Sequence, residues 1–240
     1  MATNLEKTVG DLAIAMPGAT RIFEKLGLDY CCGGKRSLQD ACERAGLSAD
    51  QVLKELEEGA RQETAAPDPE WQNRSLAELI AHIVSRYHVS LREELPRLEK
   101  LISKVEGVHG KNHPELLRVH AIFQSLQSEL MPHMMKEEQV LFPYIEQVEH
   151  SMQSHHPVPA AHFGTVRNPI RMMTEEHDDA GVQLREMRTA TNGFTLPADA
   201  CASYRTLYQA LEEFERDLHE HIHLENNILF PKAIQLESHL

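Results

Sequence analysis

Apolar residues recur at intervals of three and four along nearly the whole chain, the spacing of helices that bury one face. In the first sixty residues the runs are short. Val9, Leu12, Ala13 and Met16 make one stripe, and Ile22, Phe23 and Leu26 a second. Leu38, Ala41 and Cys42 make a third, and Val52, Leu53 and Leu56 a fourth. Pro17 reads as the start of the second helix, Gly27 as its end, Ser37 as the N-cap of the third, and Leu47-Ser48 as the entry to the last. About fifty residues of this kind bury little core and are marginal alone. From residue 59 the period disappears into polar residues with two prolines, the composition of a linker. The pattern divides the chain into a small helical domain over 1–60, a linker over 61–74 and a larger domain over 75–240.

The larger domain carries four long helical patterns. The first opens at Ser75, with Glu78 three residues on as a capping box, and its stripe is Val84, His88, Leu91 and Leu95, with a kink expected at Pro96. The second runs over about 114–150 with Leu126, Leu130, His133, Glu137, Val140 and Leu141 inward and a local interruption at Pro132. The third covers about 166–191 through Ile170, Met173, His177, Ala180, Gly181 and Leu184, and Asn192-Gly193 ends it. The fourth runs from about 197 to 225 through Phe214, Leu218, His221, Glu225 and Ile228. Residues 107–113 and 151–165 read as loops and 232–240 as a tail. Period-two alternation is scarce, so the expected fold is all-α: an antiparallel four-helix bundle preceded by a small helical domain.

Polar residues interrupt these stripes in a repeated way. His133, Glu137, Leu141, Phe142 and Pro143 recur in order and spacing as His221, Glu225, Leu229, Phe230 and Pro231. Residues four apart share a helix face, and the Phe-Pro pairs are expected to end or bend each helix. One His/Glu pair on a core stripe is as often a satisfied structural pair as a metal site. Two copies are different, because each also follows a lone His at nearly the same distance: His88 lies 45 residues before His133, and His177 lies 44 before His221. Four imidazoles and two carboxylates exceed the demand of one tetrahedral zinc. They suit two ions, each capped by a pair of His, with both Glu bridging. The absence of Cys from the set argues against copper(I) or an iron–sulfur cluster there. Iron is the best match, because such a set leaves coordination positions open to water, O2 or NO. Glu129, four residues before His133, and Glu176, beside His177, are candidate carboxylates behind the ligands. Ala180 and Gly181 leave space beside His177, as an ion requires. The remaining His, including His82, His109, His113, His120, His155, His219 and His223, read as loop, tail or outer-face residues.

Composition narrows the partners. A net charge of −13 argues against general nucleic-acid or anionic-membrane binding, and 15 His in 240 residues point toward metal. No apolar run is long enough for a membrane span, and the N-terminus lacks an export pattern. Four Cys, two of them adjacent, do not form a secreted disulfide framework, so the expected location is cytoplasmic. Cys31-Cys32 is the remaining chemical feature. Adjacent Cα atoms ~3.8 Å apart disfavour an internal bridge. The N–H groups of Gly33 and Gly34 and the charges of Lys35 and Arg36 are expected to lower a thiol pKa. The pair therefore reads as candidate reactive or metal-binding thiols, against the alternative of two small residues packed at a turn. Cys42 and Cys201 read as core residues.

Five stretches carry a resemblance to a known family: Asp29-Tyr30-Cys31-Cys32-Gly33-Gly34-Lys35, Arg86-Tyr87-His88, His133 through Glu137-Glu138, Glu176-His177-Asp178, and His221 through Glu225-Asn226-Asn227. The larger domain resembles a haemerythrin-like domain. The first segment resembles the N-terminal ScdA-type domain of the iron–sulfur cluster repair di-iron proteins (the RIC family, YtfE/ScdA type). The haemerythrin oxygen carriers are similar but use more His and an Asp, which makes simple O2 carriage a poorer match. The resemblance implies metal ligands at His88, His133, Glu137, His177, His221 and Glu225. It further implies two non-haem Fe ions, carboxylate-bridged, and a role in repairing iron–sulfur clusters damaged by nitrosative or oxidative stress through iron donation, with Cys31 and Cys32 assisting. Its partners would be damaged or apo iron–sulfur proteins, with NO or O2 as small ligands. A homodimer stays open, and so does enzymatic activity of the NO-reductase type. The alternative function is NO binding, scavenging or reduction. The longer stretches around 107–114 and 151–165 bear on partner contacts more than on the metal set.

Overall fold

Three helices begin by the same device. The side chains of Thr8, Ser37 and Ser75 accept the backbone N–H three residues ahead, from Asp11, Asp40 and Glu78, and Glu78 returns the contact as a full capping box. The computed structural model describes residues 5–16, 18–62, 71–154, 156–158 and 161–239. Pro17, the centre of the linker, His155 and Pro159 lie outside the described residues. The N-terminal unit consists of α1 (Val9–Ala15), α2 (Ala19–Leu26), α3 (Leu38–Ala45) and α4 (Ala49–Gln62). The larger part consists of α5 (Leu76–Ile83), α6 (Val89–His109), α7 (Glu115–Lys136), α8 (Phe142–Ser154), α9 (Arg167–Ala190), α10 (Ala202–Leu224) and α11 (Phe230–Glu237). Among the described residues the only strand-like pairing is the single bridge between Thr8 and Ser37.

The fold is all-α, and its larger part is a four-rod antiparallel bundle in which α7 packs on α6 and α9, and α10 on α6 and α9. Three of the rods contain a π-helical turn: Val84–His88 joins α5 to α6, Glu137–Leu141 joins α7 to α8, and Glu225–Leu229 joins α10 to α11. Each is closed by an N–H reaching back five residues, Val89 to Val84, Phe142 to Glu137 and Phe230 to Glu225. In the last two, Pro143 and Pro231 follow directly, have no N–H to give, and sit where the wider turn has relaxed the ladder. This corrects three expectations. The Phe-Pro pairs, expected to end or bend their helices, begin new helical segments directly after a π turn. The segment 232–240 is helical through Glu237, and residues 151–154, expected as loop, complete α8. Pro96 and Pro132 lie inside uninterrupted helices.

The C-terminal helix is held by its last residue. Glu237 accepts the Val166 N–H at 2.8 Å and the Tyr144 hydroxyl at 2.9 Å, which joins it to the entry of α9. Glu149 acts similarly on α5, accepting the N–H groups of Leu76 and Ala77 at 2.7 and 3.0 Å, where a helix has unpaired donors. The bundle has two apolar clusters. One runs from Leu91 and Leu130 to Leu211 and Phe214, and the other from Leu79 and Ile83 to Leu141 and Leu229. Between them lies a buried polar layer.

His120 sits between Glu99, 2.8 Å away, and Glu106. Burial pushes this imidazole down in pKa, but the two carboxylates outweigh it and hold the value above the ordinary one. A raised folded-state pKa contributes stability that is complete below the unfolded value of about 6.5 and is lost as pH rises through the folded value. The variant His120→Gln is therefore expected to cost about 1 kcal/mol at pH 6 and less at pH 9, measured by urea denaturation at the two pH values. Equal losses would show that the charge on His120 contributes nothing.

Candidate metal centre

The polar layer collects His88, His133, Glu137, His177, His221 and Glu225, each 3% exposed or less. They sort into two quartets that share the carboxylates. His88, His221, Glu137 and Glu225 have ligand atoms within 4.8 Å of one another, and so do His133, His177, Glu137 and Glu225. Glu137 spans the two groups, with Oε2 3.4 Å from His88 Nε2 and Oε1 3.4 Å from His133 Nε2. Glu225 spans them from the opposite side, with Oε1 3.0 Å from His221 Nε2 and Oε2 3.2 Å from His177 Nε2. Within each quartet the two imidazoles face each other at 3.1 Å between Nε2 atoms.

The outer nitrogens explain why those Nε2 atoms offer lone pairs. His88 Nδ1 donates to Glu138 at 2.7 Å, and His133 Nδ1 donates to Glu176 at 2.7 Å. His177 Nδ1 donates to Asn226 Oδ1 at 2.9 Å; the amide is oriented by its own Nδ2, which donates to the Cys31 carbonyl at 3.4 Å. A carboxylate or amide oxygen behind a His fixes the tautomer and raises its basicity toward a metal. Arg92 in turn holds Glu138 at 2.7 Å, and Lys136 holds Glu176. His221 is the exception: its Nδ1 is buried without a hydrogen bond, and Tyr87 stacks flat on its ring at 5.4 Å.

Both oxygens of Glu137 and Oε2 of Glu225 are buried without hydrogen bonds. Inward-facing acceptors with no donors between them demand positive charge. The titration tendencies carry the same sign. Burial pushes the Glu137 carboxyl up, but His133 and His88 outweigh it and hold it well below its usual range. Burial pushes His133 down, and Glu137 more than reverses this, raising it to about 9. The donor set fits a pair of divalent cations of the iron, manganese or zinc type.

The repeated tripeptide now has a physical role. Leu141 and Leu229 are core residues, while Phe142 stacks on His88 at 5.8 Å and Phe230 on His177 at 5.9 Å. Glu138 and Asn226 hold equivalent places after Glu137 and Glu225, and both reach the lone His of their own helix pair. Each lies within a π turn, where the widened turn lets it follow Glu137 or Glu225 toward the layer. Sequence reasoning missed the role of these two residues for that reason, although their place in the repeat marks them.

Several expectations need correction. Glu129 is exposed and binds Ser125 and Gln183, away from the layer, because α7 turns it outward. The space at Gly181 is taken by a thiol: a Cβ there would stand 3.0 Å from Cys32 Sγ. Cys31 is buried, 3% exposed, in the apolar cluster of the bundle. The hydrogen bond to Cys32, and then burial, push its pKa well above the ordinary thiol value, so the expected lowering does not apply to Cys31. Asp29 Oδ1 holds the turn by accepting the N–H groups of Cys32 and Gly33 at 3.0 and 2.8 Å. Cys32 Sγ donates to the His177 carbonyl at 3.2 Å. His219 and His223 face the N-terminal unit: His219 binds Glu24 at 2.7 Å, and His223, which accepts from Asn227 of its own rod at 2.8 Å, packs edge-on against Tyr30 at 5.3 Å. Cys42 is buried as expected, but Cys201 is exposed at the head of α10.

A four-rod bundle with a His/Glu layer at mid-height defines a cation-binding helical domain. Residues 79–233 match the Hemerythrin HHE cation binding domain, and residues 5–60 match ScdA_N, a domain of unknown function (DUF542). The chain is 41% identical over 235 residues to the iron-sulfur cluster repair protein YtfE of Pectobacterium atrosepticum, covering 97% of this chain and 98% of the relative. It is 40% identical over 231 residues to the protein of that name in Yersinia pseudotuberculosis, with 96% and 98% covered. It is also 40% identical over 229 residues to the "Probable iron-sulfur cluster repair protein" of Haemophilus influenzae, with 95% and 97% covered. The chain belongs to the haemerythrin-type iron–sulfur cluster repair family. No helix among the described residues is long and apolar enough to cross a membrane.

Removing the carboxylate behind His88 tests the layer. Glu138→Ala is expected to weaken iron retention roughly 10–100-fold in competition with a chelator, whereas Glu129→Ala is expected to leave it unchanged. Stripping metal from the wild type is expected to lower Tm, because two buried carboxylates lose their counter-charge. An unchanged Tm would mean that protons alone neutralise the layer.

Proposed function

We propose that this is a cytoplasmic non-haem di-iron protein that restores iron–sulfur clusters damaged by nitrosative or oxidative stress by donating iron to them. His88, His133, Glu137, His177, His221 and Glu225 would hold the two ions, with both carboxylates as bridges. The carrying observation is the contact of two chemistries: the Cys32 thiol donates to the backbone carbonyl of His177 at 3.2 Å. Asp29, Cys31 and Cys32 have donor atoms within 4.8 Å of one another, so soft sulfur ligands and a carboxylate stand beside the nitrogen and oxygen set. Ferrous iron lies low in the affinity order for such N/O sites, which favours release toward a thiolate acceptor. The names of the relatives agree with this reading, and the partner would be a damaged or apo iron–sulfur protein.

One observation favours a second reading. Each quartet supplies only two His nitrogens and two carboxylate oxygens, which leaves room at an iron for NO. A cleft of about 560 Å³, lined by Trp71, His82, Tyr87, Glu220 and His223, borders the layer through Tyr87. On this reading the protein binds, scavenges or reduces NO.

Transfer of iron from the anaerobic ferrous protein to an apo iron–sulfur protein separates the two. Repair predicts reconstituted cluster absorption in the acceptor, slowed in Cys31→Ala/Cys32→Ala and in Gly181→Val, whose side chain would displace Cys32. Transfer as fast as wild type in the double variant removes the thiols from the mechanism. No transfer at all, with N2O formed over many turnovers, replaces repair with NO reduction; one-to-one nitrosyl formation replaces it with scavenging.

A further inference from the structure

A second group of metal-type donors lies at the far end of the bundle. His109 ends α6, and the chain continues one more helical turn, with the N–H groups of Asn112 and His113 both returning to the His109 carbonyl at 2.9 Å. That turn sets the rings of His109 and His113 side by side, 6.1 Å between centroids. The loop before α10 faces them with Asp199 and Cys201. His113 Nε2 is 3.0 and 3.2 Å from the two Asp199 oxygens, and His109 Nε2 is 3.2 Å from Cys201 Sγ. Donor atoms of His109, His113 and Asp199 lie within 4.8 Å of one another.

The support behind these side chains is that of a ligand site. His113 gives its Nδ1 proton to Glu115 at 2.9 Å, and Glu115 also takes the Tyr204 hydroxyl at 3.3 Å. This is the carboxylate–histidine arrangement that turns the other ring nitrogen toward a metal. Tyr204, fully buried, packs edge-on against both rings at 5.3 and 5.5 Å. Two imidazole nitrogens and one carboxylate oxygen in mutual reach are ligand types of a tetrahedral zinc, and the Cys201 sulfur beside His109 supplies the type of a fourth. His88 and His109 are 21 positions apart on one rod, about 30 Å at the helical rise, so this group is separate from the His/Glu layer.

We propose that His109, His113, Asp199 and Cys201 form a third cation site, selective for Zn2+-type ions, that clips the α6–α7 turn to the loop entering α10. The site exists without reference to iron donation, and its role is to fasten the two connections at this end.

Cobalt(II) added to the full-length protein with its iron in place is the probe. The expected result is one further equivalent bound, with a near-ultraviolet thiolate-to-cobalt absorption. Cys201→Ser should abolish that absorption, and His113→Ala should abolish the extra equivalent, both with iron content unchanged. Asp199→Ala, on the exposed loop, repeats the test without disturbing a helix, and added Zn2+ should raise Tm in the wild type but not in this variant. Absence of the further equivalent, its persistence in His113→Ala and Asp199→Ala, or a thiolate band that survives Cys201→Ser would each overturn the site.

Discussion

Two carboxylates, Glu137 and Glu225, face each other across the bundle, both fully buried, and the rest of the structure depends on that placement. An uncompensated buried carboxylate costs several kcal/mol. The molecule answers with four imidazoles, and behind three of them with an outward acceptor that keeps the inner nitrogen free to bind a cation. The apolar clusters on either side exclude solvent, which strengthens each interaction within the layer. A layer of this kind weakens the bundle unless ions occupy it, so folding energy and metal affinity are linked.

The helix count, the capping of Ser75 and the six convergent side chains were readable because they follow from period and repetition. His88 and His177 were found through their places on apolar stripes together with their distance from the duplicated His/Glu phrase. The π turns were not readable, because a widened turn leaves no compositional mark beyond the prolines after two of them. That one omission accounts for related errors. It left Glu138 and Asn226 without a role, and it made Phe142-Pro143 and Phe230-Pro231 read as places where a helix ends or bends. The cysteines failed for another reason: Cys31 and Cys201 took their surroundings from residues far away in sequence, the first from the bundle core and the second from His109.

The N-terminal unit is fitted to the bundle through backbone and amide groups. Asn227 donates to the Tyr30 carbonyl at 3.0 Å, and its side chain leaves no room for a Cβ at Gly10 or Gly34, which would stand 2.8 and 2.6 Å from its oxygen. Asn226, one residue earlier, bonds both the Cys31 carbonyl and His177. Side chains next to Glu225 therefore serve two neighbours, and the thiol turn is positioned by the same helical turn that carries this carboxylate of the polar layer.

The widened turns also set a rule for anyone transplanting this centre. Each adds a residue to its rod, so the apolar stripe above the layer is rotated by about 100° from the stripe below it. Copying the six donors onto straight, ideal helices would bring them together only by turning half of the hydrophobic face of three rods toward solvent. The irregular turns are thus as much a part of the centre as the side chains, and a scaffold without them would have to choose between a filled core and a closed coordination shell.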